Sequence, residues 1–220
     1  MQNSKINKDI AQVLDCYPKL ALVKKKNSKC LIGDIDVFDS KGTYLDSYGI
    51  RVNIPVNYPY SFPELFETSQ KFPHIADRHI SDDGSCCVCS LQEADMMGQK
   101  GISIIDYFRL YVIPYLANQI YFDHTGKWAN GDYEHGIYGI FQFYRELFKV
   151  ERIEEAIELL SFLSTNKMNR NDLCFCESGL KFKRCHLEAY RKIKGFTPKR
   201  ILVDLTALKQ LEKEDKGTMQ

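Results

Sequence analysis

Four side chains near the end of this chain constrain its folding more tightly than any other feature. Cys174-Phe175-Cys176, an eight-residue spacer and Cys185-His186 place three sulfurs and one imidazole within thirteen positions. Zinc prefers four tetrahedral sulfur and nitrogen donors, and this set is complete without water. A closed shell has no place for a reactive water, so such an ion stabilises rather than catalyses. Sixteen residues or so cannot enclose a core, so metal binding would supply the folding free energy of residues 171–186. Ser178-Gly179 supplies a tight reversal between the two ligand pairs.

The eight cysteines of this 220-residue chain fall mostly into two clusters, Cys174 to Cys185 and Cys86 to Cys89, with Cys16 and Cys30 apart. A disulfide framework would spread them through a smaller chain, so metal binding or thiol chemistry in a reducing compartment is expected. No apolar run approaches a membrane span, and no apolar segment follows Met1-Gln2-Asn3 as in a signal peptide. The expectation is a cytoplasmic protein with no membrane partner. The net charge of +1 gives no global pull toward nucleic acid, so no nucleic-acid partner is expected.

Hydrophobic spacing outlines the rest. Ile6, Ile10, Val13, Leu14 and Tyr17 recur at helical spacing and Pro18 ends the helix. Leu31 to Phe38 reads as a strand. Tyr48, Ile50, Val52 and Ile54 alternate with Gly49, Arg51 and Asn53, a half-buried strand paired with its predecessor. Pro55, Pro59 and Pro63 interrupt the ladder, and Leu65 to Thr68 suits a short further strand. Residues 69–100 show little periodicity and read as a long functional loop. Ile104, Phe108, Tyr111, Val112 and Tyr115 make one helix face, which Pro114 must kink or divide. Ile137, Ile140, Phe141, Tyr144, Leu147 and Phe148 make a second stripe, and Ile153, Ala156, Ile157, Leu160 and Leu163 a third. A charged tail from Lys209 should fray. This order predicts an α+β fold.

The metal segment resembles the SEC-C motif, through Asn171-Asp172-Leu173-Cys174-Phe175-Cys176-Glu177-Ser178-Gly179, Lys181-Phe182-Lys183 and Cys185-His186. That family usually carries proline where Leu173 stands and glycine where Glu177 stands. The resemblance implies structural zinc and a docking module.

The other cluster, Asp82-Asp83-Gly84-Ser85-Cys86-Cys87-Val88-Cys89, puts thiols just after a glycine turn. A thiol there is a nucleophile if its thiolate is stabilised. The three could instead bind metal, together with His79, or form a reversible disulfide, and spacing alone does not decide. With Tyr58-Pro59-Tyr60-Ser61-Phe62-Pro63 upstream, residues 1–150 resemble bacterial relatives of the ubiquitin-conjugating enzymes. In that family a Tyr-Pro-Phe-x-Pro-Pro stretch follows the sheet and a His-Pro-Asn motif precedes Gly-x-x-Cys. The resemblance implies a four-stranded antiparallel meander flanked by helices. It makes Cys87 the catalytic cysteine, with Cys86 tucked inward. Asp77-Arg78-His79 stands where His-Pro-Asn is expected, so His79 replaces the asparagine. His79 could donate to an oxyanion, lower the Cys87 pKa or act as a base.

The implied chemistry is a thioester on Cys87, formed with a protein C-terminus and passed to an amine. Asp82 and Asp83 are candidates for orienting that amine, and Cys86 and Cys89 for redox pairing with Cys87. The string Trp128-Ala129-Asn130-Gly131-Asp132-Tyr133-Glu134-His135-Gly136 is similar to one in those bacterial relatives; His135 either reaches the cysteine or caps the following helix. The chain has no Gly-rich phosphate loop, so the acyl group must come from a partner. Such bacterial proteins resemble those of antiphage operons, in which the carried protein is a cyclic-oligonucleotide synthase. The expected division is a conjugating-like domain over 1–165, the SEC-C motif over 166–190 and a tail over 191–220. The rival expectation is a non-catalytic docking module with structural or redox-sensing cysteines.

Overall fold

The computed structural model describes residues 2–25, 28–129, 134 and 136–218. It is an α+β fold with two compact units, 1–132 and 133–220.

In the first unit, α1 (Gln2–Cys16) leads into strands β1 (Leu20–Lys25), β2 (Ser28–Phe38), β3 (Tyr44–Ile54) and β4 (Glu64–Glu67). They form one antiparallel sheet in the order β1-β2-β3-β4. The alternation read in β3 is realised, because Tyr48, Ile50, Val52 and Ile54 are all buried. They face Leu31, Ile35 and Val37 of β2 and Leu65 of β4. Each fully buried aliphatic or aromatic side chain here contributes about 1.5–3 kcal/mol relative to exposure. Strand β1 escaped the sequence reading because Leu20-Ala21-Leu22-Val23-Lys24-Lys25 has no alternation of polarity. Its pairing with β2, Leu20 opposite Gly33 through Lys25 opposite Ser28, defines it instead.

The sheet is covered by α1 and by a helix running through α3 (Ile104–Tyr107), a π turn (Phe108–Val112) and α4 (Ile113–Thr125). Pro114 does not break it. A π turn ends two residues before Pro114, helical dihedrals run through Val112 and Ile113, and the proline falls in the first turn of α4, where its missing amide costs least.

Residues 69–100 are a correction to the expected loop. Their second half contains α2 (Leu91–Lys100), started by Ser90, whose hydroxyl accepts the Glu93 amide. Its weak stripe hid it, since its buried positions are Gln92 and Gly98. A Cβ on Gly98 would lie 3.1 Å from the Phe62 amide nitrogen, so this helix is seated by close backbone approach rather than by bulk.

In the second unit, α5 (Gly136–Phe148), α6 (Ile153–Thr165), α7 (Leu187–Ile193) and α8 (Pro198–Thr218) pack around one another and around the cysteine segment. The expected tail 191–220 is corrected. Helix α8 fills most of it, and Asp204, Leu208 and Leu211 are buried. The stripe was obscured by its polar member: Asp204 lies inside because the Tyr144 hydroxyl donates to it at 2.8 Å. Helices α5 and α6, assigned from sequence to 1–165, lie in the same unit as the metal segment.

Candidate functional site

The metal segment is built on a short antiparallel bridge between Leu173 and Lys181. The ladder bonds run from the Cys174 amide to the Leu180 carbonyl and from the Phe182 amide to the Asp172 carbonyl, each 2.8 Å. The amide of Leu173 takes no part in that ladder, so proline, the usual residue of the motif here, would cost no ladder bond. Glu177 sits at φ +59° and Gly179 at φ +71°. The left-handed conformation at 177 accounts for the usual glycine of the motif, and Glu177 tolerates it at some cost.

This turn brings the Sγ atoms of Cys174, Cys176 and Cys185 and one His186 ring nitrogen within 4.8 Å of one another. Cys174 Sγ and Cys185 Sγ lie 3.4 and 3.3 Å from His186 Nδ1, and Cys176 Sγ lies 3.5 Å from Cys185 Sγ. Tetrahedral zinc with bonds of about 2.3 Å to sulfur and about 2.0–2.1 Å to nitrogen gives edges of roughly 3.5–3.8 Å. These three edges match within a few tenths of an ångström, and all four donors lie within 4.8 Å of one another.

The other imidazole nitrogen, Nε2, lies 3.0 Å from the Phe148 carbonyl. That bond fixes the tautomer, with Nε2–H donating and Nδ1 facing the sulfurs. The Ser178 hydroxyl lies 3.3 Å from Cys176 Sγ and 3.4 Å from Cys185 Sγ. Burial pushes the Cys174 thiol up to about 11. Burial also opposes the Cys176 thiolate, but hydrogen bonds from Ser178 outweigh it and bring that thiol down to about 6. Among the described residues no other group of three or more His, Cys, Asp or Glu side chains assembles in this way.

In the first unit, residues 79–87 form a tight hairpin rather than an irregular loop. Ile80 bridges Cys86, and Ser85 bridges Phe66 of β4, which adds a short strand to the sheet edge. Gly84 turns the chain at φ +81°, where a Cβ would lie 2.6 Å from the Glu67 carbonyl oxygen. Extended backbone sends neighbouring side chains to opposite faces. Cys86 therefore packs against the core and Cys87 is exposed. Cys89 also packs against the core. The alternative of a second metal site on His79, Cys86, Cys87 and Cys89 is corrected, because these opposed directions keep the donors from converging.

Burial pushes the Cys86 thiol up to about 12, and Cys89 higher still. Burial alone acts on Cys87, also upward. The expected lowering of that thiol by His79 has no counterpart. His79 instead accepts the Cys87 amide on its carbonyl at 2.8 Å, and its ring meets Trp128 edge-on at 5.1 Å. Asp83 accepts the Ser85 amide at 3.0 Å and so caps the turn. Asp82 is exposed. His135, with Asn130 to Tyr133 of the tryptophan string, lies outside the described residues.

Three supports of this hairpin were not assigned that role from sequence, although Tyr111 and Tyr115 were placed on a helix face and Arg78 beside His79. Tyr107, Tyr111 and Tyr115 are spaced four apart; Tyr107 and Tyr111 stack at 6.0 Å between centroids, and Tyr115 reaches the hairpin. The Tyr115 hydroxyl reaches the Arg78 and His79 carbonyls at 3.3 Å, and the Tyr111 hydroxyl reaches Glu93 at 3.0 Å. The i, i+4, i+8 spacing was the available signal. Arg78 is buried and its guanidinium bonds Gln119 and Asp123 at 2.7 and 2.6 Å. Last, His74 Nε2 lies 3.1 Å from buried Glu67 and its ring packs on Gly84. Only folding brings residues 67, 74 and 84 together, so no local pattern announced this clasp.

The clasp makes the hairpin sensitive to pH. The Glu67 hydrogen bond, with a contribution from the Asp82 carbonyl, raises the His74 pKa above its ordinary 6.5. Burial opposes the Glu67 carboxylate, but hydrogen bonds from Ser69 and His74 outweigh it and hold its pKa below the ordinary 4.5. The histidine contribution is complete below pH 6.5 and lost as pH rises through its raised value. The glutamate contribution is complete above pH 4.5 and lost as pH falls through its lowered value. Protection of the Gly84 amide, corrected for intrinsic exchange, should therefore peak between those limits and decline toward pH 8. His74→Gln should flatten the decline, and an equal slope in both proteins would reject the clasp.

Comparison with known families identifies a SEC-C motif, a zinc-binding type, over residues 170–188. Its span contains all four clustered donors. No curated protein and no solved structure matches the chain. No helix among the described residues is long and apolar enough to cross a membrane.

Proposed function

We propose that this chain is a cysteine acyl carrier and transferase of the ubiquitin-conjugating type, stabilised by structural zinc on Cys174, Cys176, Cys185 and His186. The observation that carries the reading is Cys87, exposed on a hairpin against the edge of a four-stranded antiparallel meander. The Cys87 thiolate would attack the carbonyl of an activated protein C-terminus held as a thioester on a partner. The carbon–sulfur bond to the partner breaks, and the leaving thiolate takes up the proton that Cys87 gave up. An amine then attacks the new thioester, loses a proton and expels the Cys87 thiolate.

His79 positions the thiol through its carbonyl, and the inward packing of Cys86 and Cys89 sets them apart from the reacting sulfur. The place in antiphage signalling, with a cyclic-oligonucleotide synthase as cargo, follows from the family resemblance. A non-catalytic docking role is the second reading, favoured because no described residue supplies a thiolate-stabilising contact to Cys87.

Protein isolated from its native host without reductant should carry a thiol-labile adduct of one polypeptide. Cys87→Ser should hold the same polypeptide through a thiol-stable ester, and Cys87→Ala should hold none. A thiol-labile adduct persisting in Cys87→Ala would place the chemistry elsewhere. No adduct in any form would leave the docking role.

A further inference from the structure

The second unit carries a cleft of about 1170 Å³ walled by α6, by the 148–152 turn after α5 and by the metal-binding segment. Its floor is aromatic: Phe162 and Phe175 stack at 3.8 Å between ring centroids and 15° between planes. Its rim is acidic. Glu151, Glu155, Glu158 and Glu177 line it against Lys149 and Arg152, and Glu155 engages Arg152 at 3.0 Å. Cys176 and His186 form part of the wall. Three thiolates against one divalent ion would leave that wall one unit more negative. Glu177 adds a carboxylate where the backbone conformation favours glycine.

We infer that this cleft is a binding site for a basic peptide segment, with an aliphatic or aromatic side chain on the Phe162–Phe175 floor and a lysine or arginine at the Glu158 and Glu177 rim. The floor provides apolar burial, and two arginines or lysines would neutralise the excess carboxylates. An acidic peptide or a phosphate backbone would meet repulsion at the same rim. The size suits an extended segment of several residues better than a single metabolite. This inference is independent of the Cys87 reading, and either can fail alone.

The test titrates the full zinc-loaded chain with a fluorescein-labelled Arg-Leu-Lys-Phe-Arg-Leu peptide and with the same peptide carrying glutamate at its three basic positions. The basic peptide should bind, weaken as salt rises, and bind at least tenfold more weakly to Glu158→Gln/Glu177→Gly. The glycine at 177 relieves the left-handed backbone, so that variant should keep one zinc per chain and its thermal midpoint. A benzophenone-bearing basic peptide should crosslink to the wild-type chain within 148–177, a readout independent of the variant's folding. Equal binding of the acidic peptide, no binding, unchanged affinity in the folded double variant, or crosslinks confined to other residues would each overturn the inference.

Discussion

Cys174→Ser, or removal of metal by a chelator, is expected to unfold residues 170–186 and to loosen the helices packed on them. The segment has little else to hold it. Its ladder consists of the Cys174–Leu180 and Phe182–Asp172 bonds, and its buried apolar content is essentially Phe182 and the Cys174 side chain. Structural zinc contributes about 10–16 kcal/mol in isolated finger peptides, more than the five backbone hydrogen bonds within 170–186 at about 1 kcal/mol each. The damage should spread, because His186 bonds the Phe148 carbonyl of α5 and Phe175 stacks on Phe162 of α6. Elemental analysis should fall from one zinc per chain to none. Amide protection should vanish over 170–186 and weaken around Phe148 and Phe162. A metal-free chain with unchanged protection would show that packing alone holds the segment.

The second large effect is expected at Arg78, which sequence comparison placed only as a departure from a proline. Its Nε donates to Gln119 Oε1 at 2.7 Å, and its guanidinium lies over the Phe122 and Phe72 rings at 4.7 and 5.5 Å. Arg78→Met keeps the volume but leaves the fully buried Gln119 oxygen without its donor, a loss of about 1–3 kcal/mol. The ring contacts add about 0.5–2 kcal/mol. Asp123 is half exposed and can rehydrate, so the ion pair adds at most about 1 kcal/mol. A loss of about 2–4 kcal/mol in urea unfolding follows from these contributions. Arg78→Lys should not restore it, since one ammonium cannot reproduce the planar fork. Arg78→Met/Gln119→Leu should recover only part of the loss: the orphaned Gln119 oxygen is gone, but the Arg78 carbonyl loses its 2.7 Å donor, Gln119 Nε2, and keeps the Tyr115 hydroxyl at 3.3 Å. A single variant within about 0.5 kcal/mol of wild type would mean that the hairpin is held mainly by the Tyr115 and Glu67–His74 contacts.

The two sites differ in how much the linear chain disclosed. Donor spacing at 174–186 was sufficient, because a metal ion needs only the right atoms within a short loop, and local turns deliver them. The strict alternation of 48–54 was sufficient for a strand with one buried face. The stripes of α5 and α6 were sufficient for helices. Pattern failed where a polar residue occupies an inward position. Gln92 masks α2, and Asp204 masks α8 until Tyr144 supplies its partner. It failed again at β1, whose pairing with β2 defines it.

What the order of residues determined by itself was the metal-donor set, the sheet's core face and the position of a thiol cluster after a glycine turn. Only the tertiary structure decided which thiol faces water, since strand alternation around Cys86 and Cys87 depends on the bridges to Ile80 and Phe66. Only folding brought Glu67 to His74, Arg78 to Gln119 and Phe175 to Phe162. The physical reason is range: turn chemistry and side-chain period act over a few residues, whereas burial of a charge or an aromatic ring is settled by partners seven to forty-one residues away in these three pairs.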